Sequence, residues 1–252
     1  MSTNTLVTGA GRGIGAAIAA ALADAGHTVA VHAGHDADAA RRVADTLPGT
    51  GHAVVVGDLS SPAECERIFA EAVDQLGGLD VLVNNAGIFR AQPVLSGSFA
   101  DWHEAWRQTI DVNLLAPANL CRLMAEHLVQ RPAGPAGGRL VNVGSRGAYR
   151  GEPENAAYGA SKAGLHSLTQ SLAVALAPHG IFSAAVAPGF VDTRMGRPAL
   201  EGASGAAIRA QSPFNRVAEP EEVAATVAWL ATAAPVWVSG TVIDVNGASH
   251  LR

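Results

Sequence analysis

Tyr158 and Lys162 have the clearest capacity for chemistry in this sequence. They lie four residues apart in an alanine-rich stretch that predicts a helix, and residues at i and i+4 share one helix face. An ammonium beside a phenol favours the phenolate, so we expect Lys162 to lower the Tyr158 pKa from its usual value of about 10. A phenol with a pKa nearer neutrality is a usable general acid or base. Taken alone, however, such a pair is more often a solvated surface contact.

Two polar residues upstream accompany this pair. Ser145 ends an apolar run thirteen residues before Tyr158, and Asn113 is an amide within an otherwise apolar helical stretch. A satisfied buried side chain or a local helix bend explains Asn113 equally well. Lys162 is the only lysine of the chain, whose other cationic side chains are all arginines, and this singles it out.

A glycine-rich turn near the N-terminus predicts a phosphate-binding site. A short apolar strand, Thr5 to Val7, leads into Thr8 to Gly15 (TGAGRGIG), and a helical stretch follows from Ala16 to Ala25. Glycines allow the backbone to approach a pyrophosphate, and a helix N-terminus supplies N–H groups and positive potential. The spacing differs from the G-x-G-x-x-G fingerprint, and a turn built for packing alone is the other explanation.

The residues after the second predicted strand, Val29 to Val31, bear on which dinucleotide would bind. NAD-preferring dehydrogenases place a carboxylate just beyond this strand, but here His32 follows and Asp36 comes later, at a predicted helix N-cap. Arg12 in the glycine turn can instead meet a 2′-phosphate. NADP(H) is therefore favoured, with NAD(H) possible if Arg12 is merely solvated.

Three later segments also end predicted strands. Asp58 and Leu59 follow the strand 52–57; Asp58 can accept from an adenine amino group, cap the helix near Pro62, or do both. Amide and small residues at the carboxyl edge of a parallel strand can line a nucleotide crevice. One such segment is Asn84-Asn85-Ala86-Gly87, which follows the predicted strand 79–83 and by itself is equally typical of an ordinary turn. The other is Pro188 to Thr193, which follows the predicted strand 183–187.

The second half also contains a candidate flap and a terminal strand. Residues 194–215 have weak periodicity and many small residues, which predicts a mobile flap over a site. Residues 101–130 predict one or two helices, with Pro117 as a possible kink, and Val238 to Asn246 predict the last strand. The acidic residues around Pro220 mark a helix N-terminus and are interpreted as structural.

Composition excludes several classes of function. The formal net charge is −5 and the pI is near 6.0, which argues against nucleic acid as the main partner. The nine histidines and the distant Cys65 and Cys121 have no metal-ligand spacing, so we expect no metal and a reduced protein. No apolar run approaches the roughly 20 residues of a membrane span, and we expect no signal peptide before the first strand. A soluble, cytoplasmic protein is the expectation.

Strands and helices alternate along the whole chain. This order predicts the α/β class: a single Rossmann-fold domain over residues 1–252, with a doubly wound parallel sheet of about seven strands flanked by helices.

The motifs together resemble the short-chain dehydrogenase/reductase family over essentially the whole chain. Each is weak alone, but seven occur in register: TGxxxGIG at Thr8 to Gly15, Asp58, NNAG at Asn84 to Gly87, Asn113, Ser145, YxxxK at Tyr158 to Lys162, and PGxxxT at Pro188 to Thr193.

The resemblance implies the roles of these residues. Tyr158 would exchange a proton with the substrate oxygen, Ser145 would hydrogen-bond that oxygen, and Lys162 would lower the tyrosine pKa and bind the nicotinamide ribose. Asn113 would hold a water of a proton relay, while Thr193 and the Val191 backbone would fix the carboxamide. The full set of expected cofactor-binding residues is Gly9, Arg12, Gly13, Ile14, Gly15, His32, Asp58, Leu59, Asn85, Ala86, Gly87, Tyr158, Lys162, Pro188, Gly189, Val191 and Thr193.

The implied activity is NADP(H)-dependent interconversion of a ketone and a secondary alcohol, in a homotetramer or homodimer. The segments GIG, PGFVDT and RVAEPEEVA are most similar to the 3-oxoacyl-carrier-protein reductase type. His179 and the sequence Val245-Asn246-Gly247-Ala248 depart from that type, so a free ketone is preferred over a carrier-bound substrate. A catalytically silent nucleotide-sensing protein is the alternative from another class.

Overall fold

Seven parallel strands form one sheet in the computed structural model, in the order β3-β2-β1-β4-β5-β6-β7. The model describes residues 3–252, without the side chains of residues 198 and 199. The strands are β1 (Thr3–Val7), β2 (His27–Ala33), β3 (Ala53–Val56), β4 (Val81–Asn84), β5 (Arg139–Val143), β6 (Phe182–Pro188) and β7 (Val242–Val245). The predicted α/β fold class, with its doubly wound parallel sheet, is confirmed.

Helices connect the strands and cover both faces of the sheet. They are α1 (Gly13–Asp24), α2 (Ala37–Thr46), α3 (Pro62–Leu76), α4 (Phe99–Ile110), α5 (Ala116–Gln130), α6 (Ala156–Leu176), α7 (Arg197–Glu201), α8 (Gly205–Arg209) and α9 (Pro220–Thr232). Among helices in the described part of the chain, none is long and apolar enough to cross a membrane.

The core has two layers because successive residues of a strand point to opposite faces of the sheet. Val7 faces α1 and α9, where it joins a buried cluster with Ile18 and Val227. Leu6 faces α3 and α5, in a second cluster with Ile68. Burial on both faces explains why the strands read as continuous apolar runs.

The strand order places the carboxyl ends of β1 and β4 side by side. From β1 the chain proceeds to β2 and β3 on one side, whereas β4 leads to β5, β6 and β7 on the other. The loops after β1 and β4 therefore diverge and leave a crevice between them, which is where α/β sheets bind ligands.

Some predicted boundaries differ from the observed ones. The glycine turn is shorter than expected because α1 begins at Gly13, and β7 begins only at Val242 because residues 236–238 form a 3₁₀ turn. The candidate flap contains the two short helices α7 and α8, anchored by the buried side chains of Leu200 and Ile208. Its mobility stays a prediction.

The helical stretch 101–130 consists of two helices joined by a π-helical turn, Asp111–Leu115. Pro117 lies in the first turn of α5 and has no N–H, so it cannot donate to the carbonyl oxygen of Asn113, four residues earlier. Asn113 therefore lies in an irregular turn, and its backbone carbonyl lacks the ordinary α-helical partner.

Candidate active site

Helix α6 and the end of β5 bring three of the four catalytic candidates to one cleft. Tyr158 and Lys162 lie one turn apart near the start of α6, and Ser145 follows β5 after a single glycine. All three line a cleft of about 510 Å³, which extends along the carboxyl ends of the strands to the glycine turn. The cleft places a phenol, a hydroxyl and an ammonium around a space large enough for reacting groups.

Lys162 is buried in the wall of this cleft. Its Nζ donates a 2.9 Å hydrogen bond to the carbonyl oxygen of Val143 and lies 5.8 Å from the centroid of the Tyr158 ring. Burial lowers the pKa of Lys162 to about 8, because the charged form loses hydration. The ammonium still predominates at neutral pH and faces the tyrosine.

The Tyr158 pKa differs in direction from the expectation. Burial raises the pKa of the phenol; the contact with Ser145 lowers it less, and the Glu152 carboxylate raises it further. The predicted lowering by Lys162 is wrong for the protein alone, since the ammonium is directed at the Val143 carbonyl and burial dominates. At neutral pH the phenol is therefore protonated and able to donate.

Asn113 lies behind the cleft wall, fully buried. Its Oδ1 accepts from the Ile88 N–H at 2.8 Å, and its Nδ2 donates to the Ile88 carbonyl at 3.0 Å and to Ser161 Oγ at 3.2 Å. The side-chain amide thus fixes the chain after β4, and the expected water on Asn113 stays a prediction. An ideal Cβ on Gly87 would lie 3.3 Å from Asn113 Oδ1 and 3.6 Å from Lys162 Nζ, so Gly87 keeps the space between them open.

The glycine turn is held from both sides by polar side chains. The Gly9 N–H donates to Nδ1 of His32 at 3.1 Å, and the His32 Nε2 donates to the Gly57 carbonyl at 3.0 Å. Asn85 Nδ2 donates to the carbonyl oxygens of Thr8 and Gly9. Both ring nitrogens of His32 bond the backbone, and the residue borders the cleft, so its expected contact with a cofactor stays a prediction.

The charged residues at the far end of the cleft separate into engaged and free groups. Asp36 accepts from the Ala39 N–H at 2.9 Å and caps α2, so one of its carboxylate oxygens is engaged. Arg12 is exposed and lines the cleft, and its guanidinium has no hydrogen-bond or ion-pair partner among the described residues. Asp58 accepts from the Ser60 N–H, and its expected capping of α3 is wrong because Ser61 is the cap.

Every predicted site residue except Asn113 borders this one cleft. The residues along it are Gly9, Arg12, Gly13, Ile14, Gly15, His32, Asp58, Leu59, Asn85, Ala86, Gly87, Ser145, Tyr158, Lys162, Pro188, Gly189, Val191 and Thr193. Within residues 3–252, no group of three histidine, cysteine or carboxylate side chains is arranged to hold a metal ion.

Sequence reasoning missed three residues around the tyrosine. The Phe89 ring lies edge-on to the Tyr158 ring with centroids 4.9 Å apart, and Ser161 Oγ donates to the Tyr158 carbonyl at 2.7 Å. Glu152 lines the cleft and influences the Tyr158 pKa. No motif marks Phe89 or Glu152; the position of Ser161 beside Lys162 was the only available signal.

Known proteins resemble this chain over nearly its whole length. A family model described as enoyl-(acyl carrier protein) reductase matches residues 9–250. The 3-oxoacyl-[acyl-carrier-protein] reductase FabG of Aquifex aeolicus is 37% identical, covering 96% of this chain and 95% of that protein. The cis-4-hydroxycyclohexanecarboxylate dehydrogenase of Sinomonas cyclohexanicum is 38% identical, covering 96% and 94%. A solved short chain dehydrogenase from Burkholderia cenocepacia J2315, in complex with NADP, has a TM-score of 0.87 and 35% identity, covering 98% and 97%.

Proposed function

The chain belongs to the short-chain dehydrogenase/reductase family, most similar to its 3-oxoacyl-carrier-protein reductases, and on this premise we propose the reaction it catalyses. It interconverts a ketone and a secondary alcohol, with NADP(H) carrying the hydride and Tyr158 exchanging the proton. The observation that carries this proposal is the convergence of Ser145, Tyr158 and Lys162 on the cleft that begins at the glycine turn.

The cleft fits a dinucleotide at its glycine end. An ideal Cβ on Gly9 would lie 2.9 Å from Ala86 Cα, and one on Gly15 would lie 2.3 Å from the Gly9 carbonyl oxygen. These glycines leave the backbone of the turn bare, and α1 begins there, so its N–H groups can meet a pyrophosphate. The nicotinamide ring supplies the hydride when the cofactor is bound.

Two observations support NADP(H) over NAD(H). No carboxylate directly follows the second strand, since Asp36 comes three residues after Ala33 and caps α2 through one oxygen. Arg12 and His35 line the same end of the cleft, and neither side chain is bonded to a described residue. A guanidinium at this place suits a phosphate dianion.

The proton steps follow from the environment of the tyrosine. Burial keeps the Tyr158 phenol protonated at neutral pH, as a general acid for ketone reduction must be. Ser145 Oγ accepts from the Gly147 N–H at 3.0 Å, and its own O–H can donate to a substrate oxygen. The Lys162 ammonium stabilises the tyrosinate that forms, and a water on the Asn113 carbonyl would return the proton.

The test of this function is a screen of ketones with NADPH, followed by absorbance, with Tyr158→Phe as the variant. The variant keeps the Phe89 contact and the burial of the ring but has no proton to donate. We expect turnover to fall about 10³-fold or more, with NADPH binding nearly unchanged. Undiminished turnover in the variant would contradict the role of Tyr158.

A carrier-bound 3-oxoacyl group is the second candidate substrate, supported by the similarity to the FabG reductase of Aquifex aeolicus. The same acyl group presented on a carrier protein and on a short thioester distinguishes the candidates. Equal kcat/KM for the two would argue against a carrier-protein site.

A further inference from the structure

Glu152 has a carboxylate in the substrate part of the cleft with no partner in the protein. It lines the cleft with Ser145 and Tyr158 and is half-buried. Its side-chain oxygens make no hydrogen bond or ion pair with any described residue; only its backbone carbonyl is engaged, accepting from the Asn155 N–H. Burial raises the pKa of this carboxyl, while the nearby Arg146 and Arg150 lower it. Half-buried carboxylates ordinarily have a donor.

The two neighbouring guanidinium groups are bound elsewhere. Arg146 is buried, donates to Ser249 and Gln211, and lies over the Phe190 ring at 5.2 Å. Arg150 donates to the same Gln211 oxygen at 3.0 Å. Both arginines therefore oppose the effect of burial on the pKa of Glu152 without occupying its oxygens.

The position of the carboxylate relative to Ser145 limits what it can contact. An ideal Cβ on Gly147 would lie 3.2 Å from Glu152 Oε1 and 3.3 Å from Ser145 Oγ, so both oxygens border the same small space. A substrate carbonyl held by Ser145 therefore lies in the part of the cleft that Glu152 also borders. A hydrogen-bond donor on the carbon next to that carbonyl can then reach the carboxylate.

We propose that Glu152 is a specificity-determining residue that accepts a hydrogen bond from a hydroxyl on the carbon next to the reacting carbonyl. The substrates are then α-hydroxy ketones, and vicinal diols in the oxidative direction. A neutral hydroxyl fits better than an ammonium, because the positive potential of Arg146 and Arg150 opposes a second cation. This assignment rests on the ketone reduction proposed above.

Matched ketones test the assignment. Two series are assayed with NADPH: 3-hydroxy-2-butanone, 3-methoxy-2-butanone and 2-butanone; and 2-hydroxyacetophenone, 2-methoxyacetophenone and acetophenone. We expect kcat/KM to favour the hydroxy ketone over the unsubstituted one by roughly 10- to 100-fold, as for a hydrogen bond to a charged group. The methoxy ketones, which accept but cannot donate, should resemble the unsubstituted ones.

Two variants and a control isolate the carboxylate. Glu152→Leu should bring the ratio of hydroxy to unsubstituted ketone close to one, and the isosteric Glu152→Gln should lower it part of the way. Glu154→Gln removes an exposed carboxylate two residues away and should leave the ratio unchanged. Any shift of the Tyr158 pKa affects all ketones alike and cancels in the ratio. NADPH binding confirms that each variant is folded. If Glu152→Leu does not fold, the test uses Glu152→Gln alone.

Three outcomes would overturn the assignment: no preference for the hydroxy ketone in the wild type, an unchanged ratio in both Glu152 variants, or an equal loss in Glu154→Gln. Turnover of simple ketones in those cases would leave the proposed reaction intact. Absence of turnover with all six compounds and with the wider ketone screen would instead overturn the reaction and this assignment together.

Discussion

Lys162 combines a buried positive charge with one backbone partner, the Val143 carbonyl, among the described residues. A buried ammonium destabilises the folded state, and the lowered pKa of Lys162 reflects this loss of hydration. The charge is retained where it faces the tyrosine, which is typical of a site that sacrifices stability for activity. Arginine could not replace it, because a planar guanidinium has different geometry.

Lys162→Met should abolish turnover and remove a pH dependence of stability. The folded pKa is about 8 against 10.5 when unfolded, so between these values the unfolded chain binds more protons. Stability from this residue therefore rises with pH across that window, by up to about 3 kcal/mol. Cys65, Cys121 and Tyr158 have raised pKa values, so their contribution to stability falls as the pH rises. The measurement is therefore the difference in free energy of unfolding between wild type and variant, taken from urea unfolding at pH 7.5 and at pH 10. A constant difference would contradict the burial argument.

Arg12 is the residue on which the proposed cofactor preference depends. Arg12→Ala should raise the KM for NADPH by roughly 10- to 100-fold and that for NADH little, because only the former has a 2′-phosphate. Arg41→Ala, which removes an exposed arginine of α2 paired with Asp38, is the matched control. Equal effects on the two cofactors would show that Arg12 is only solvated.

The elements act by holding the glycine turn in one conformation. Strand β2 contributes His32, and the chain after β4 contributes Asn85, so the turn is bonded to both neighbouring strands of β1. Thr8 Oγ1 accepts from the N–H groups of Asn85 and Ala86 and strengthens the same junction. The glycine turn is thus held by hydrogen bonds within the protein, so the turn proposed to bind a phosphate does not depend on a cofactor for these contacts.

Gly15→Ala should disrupt this junction. The new Cβ would lie 2.3 Å from the Gly9 carbonyl oxygen and 2.5 Å from Asn85 Nδ2, so the turn or Asn85 has to move. We expect NADPH affinity to fall at least about tenfold and stability by about 1–3 kcal/mol. Gly151→Ala, where nothing lies within 4 Å of the ideal Cβ, is the control for fluorescence titration and thermal unfolding. Full NADPH affinity in Gly15→Ala would show that the turn tolerates the shift.

Buried histidines give the whole molecule an acid sensitivity. Burial is the largest cause of a lowered pKa in His27, His32, His127 and His166. His166 is the extreme case: its ring nitrogens have no hydrogen-bond partner among the described residues, and its pKa is about 4. In the unfolded chain these histidines bind protons near pH 6.5, whereas in the folded chain they do so only at lower pH. The stability of the fold therefore falls as the pH drops below 6.5.

His166→Leu should reduce that loss. One histidine with a folded pKa of about 4 accounts for up to about 3 kcal/mol of destabilisation between pH 6.5 and 4. Urea unfolding at pH 7 and pH 5 should show a smaller difference in the variant than in the wild type. His179→Leu, which replaces an exposed histidine, is the control and should keep the wild-type difference. An unchanged difference in His166→Leu would place the acid sensitivity elsewhere.

The sequence by itself determined the fold class, the family resemblance and the set of residues along the cleft. Strand and helix periodicity and short motifs are local properties, so they can be recognised without the tertiary structure. The candidates Ser145, Tyr158 and Lys162 could be named because their spacing is fixed by one strand end and one helix. The homotetramer, the cytoplasmic location and the mobility of the flap stay predictions.

Only the tertiary structure decided how those residues are used. The direction of the Tyr158 pKa shift depends on burial, which long-range packing sets, and not on the neighbouring Lys162 alone. The partners of His32 and Glu152 also depend on packing: the His32 ring bonds the Gly9 and Gly57 backbone, whereas the Glu152 carboxylate, which no motif marks, has no donor among the described residues. Hydrogen-bond partners far apart in sequence determine which polar groups remain free. Local sequence patterns do not identify these partners.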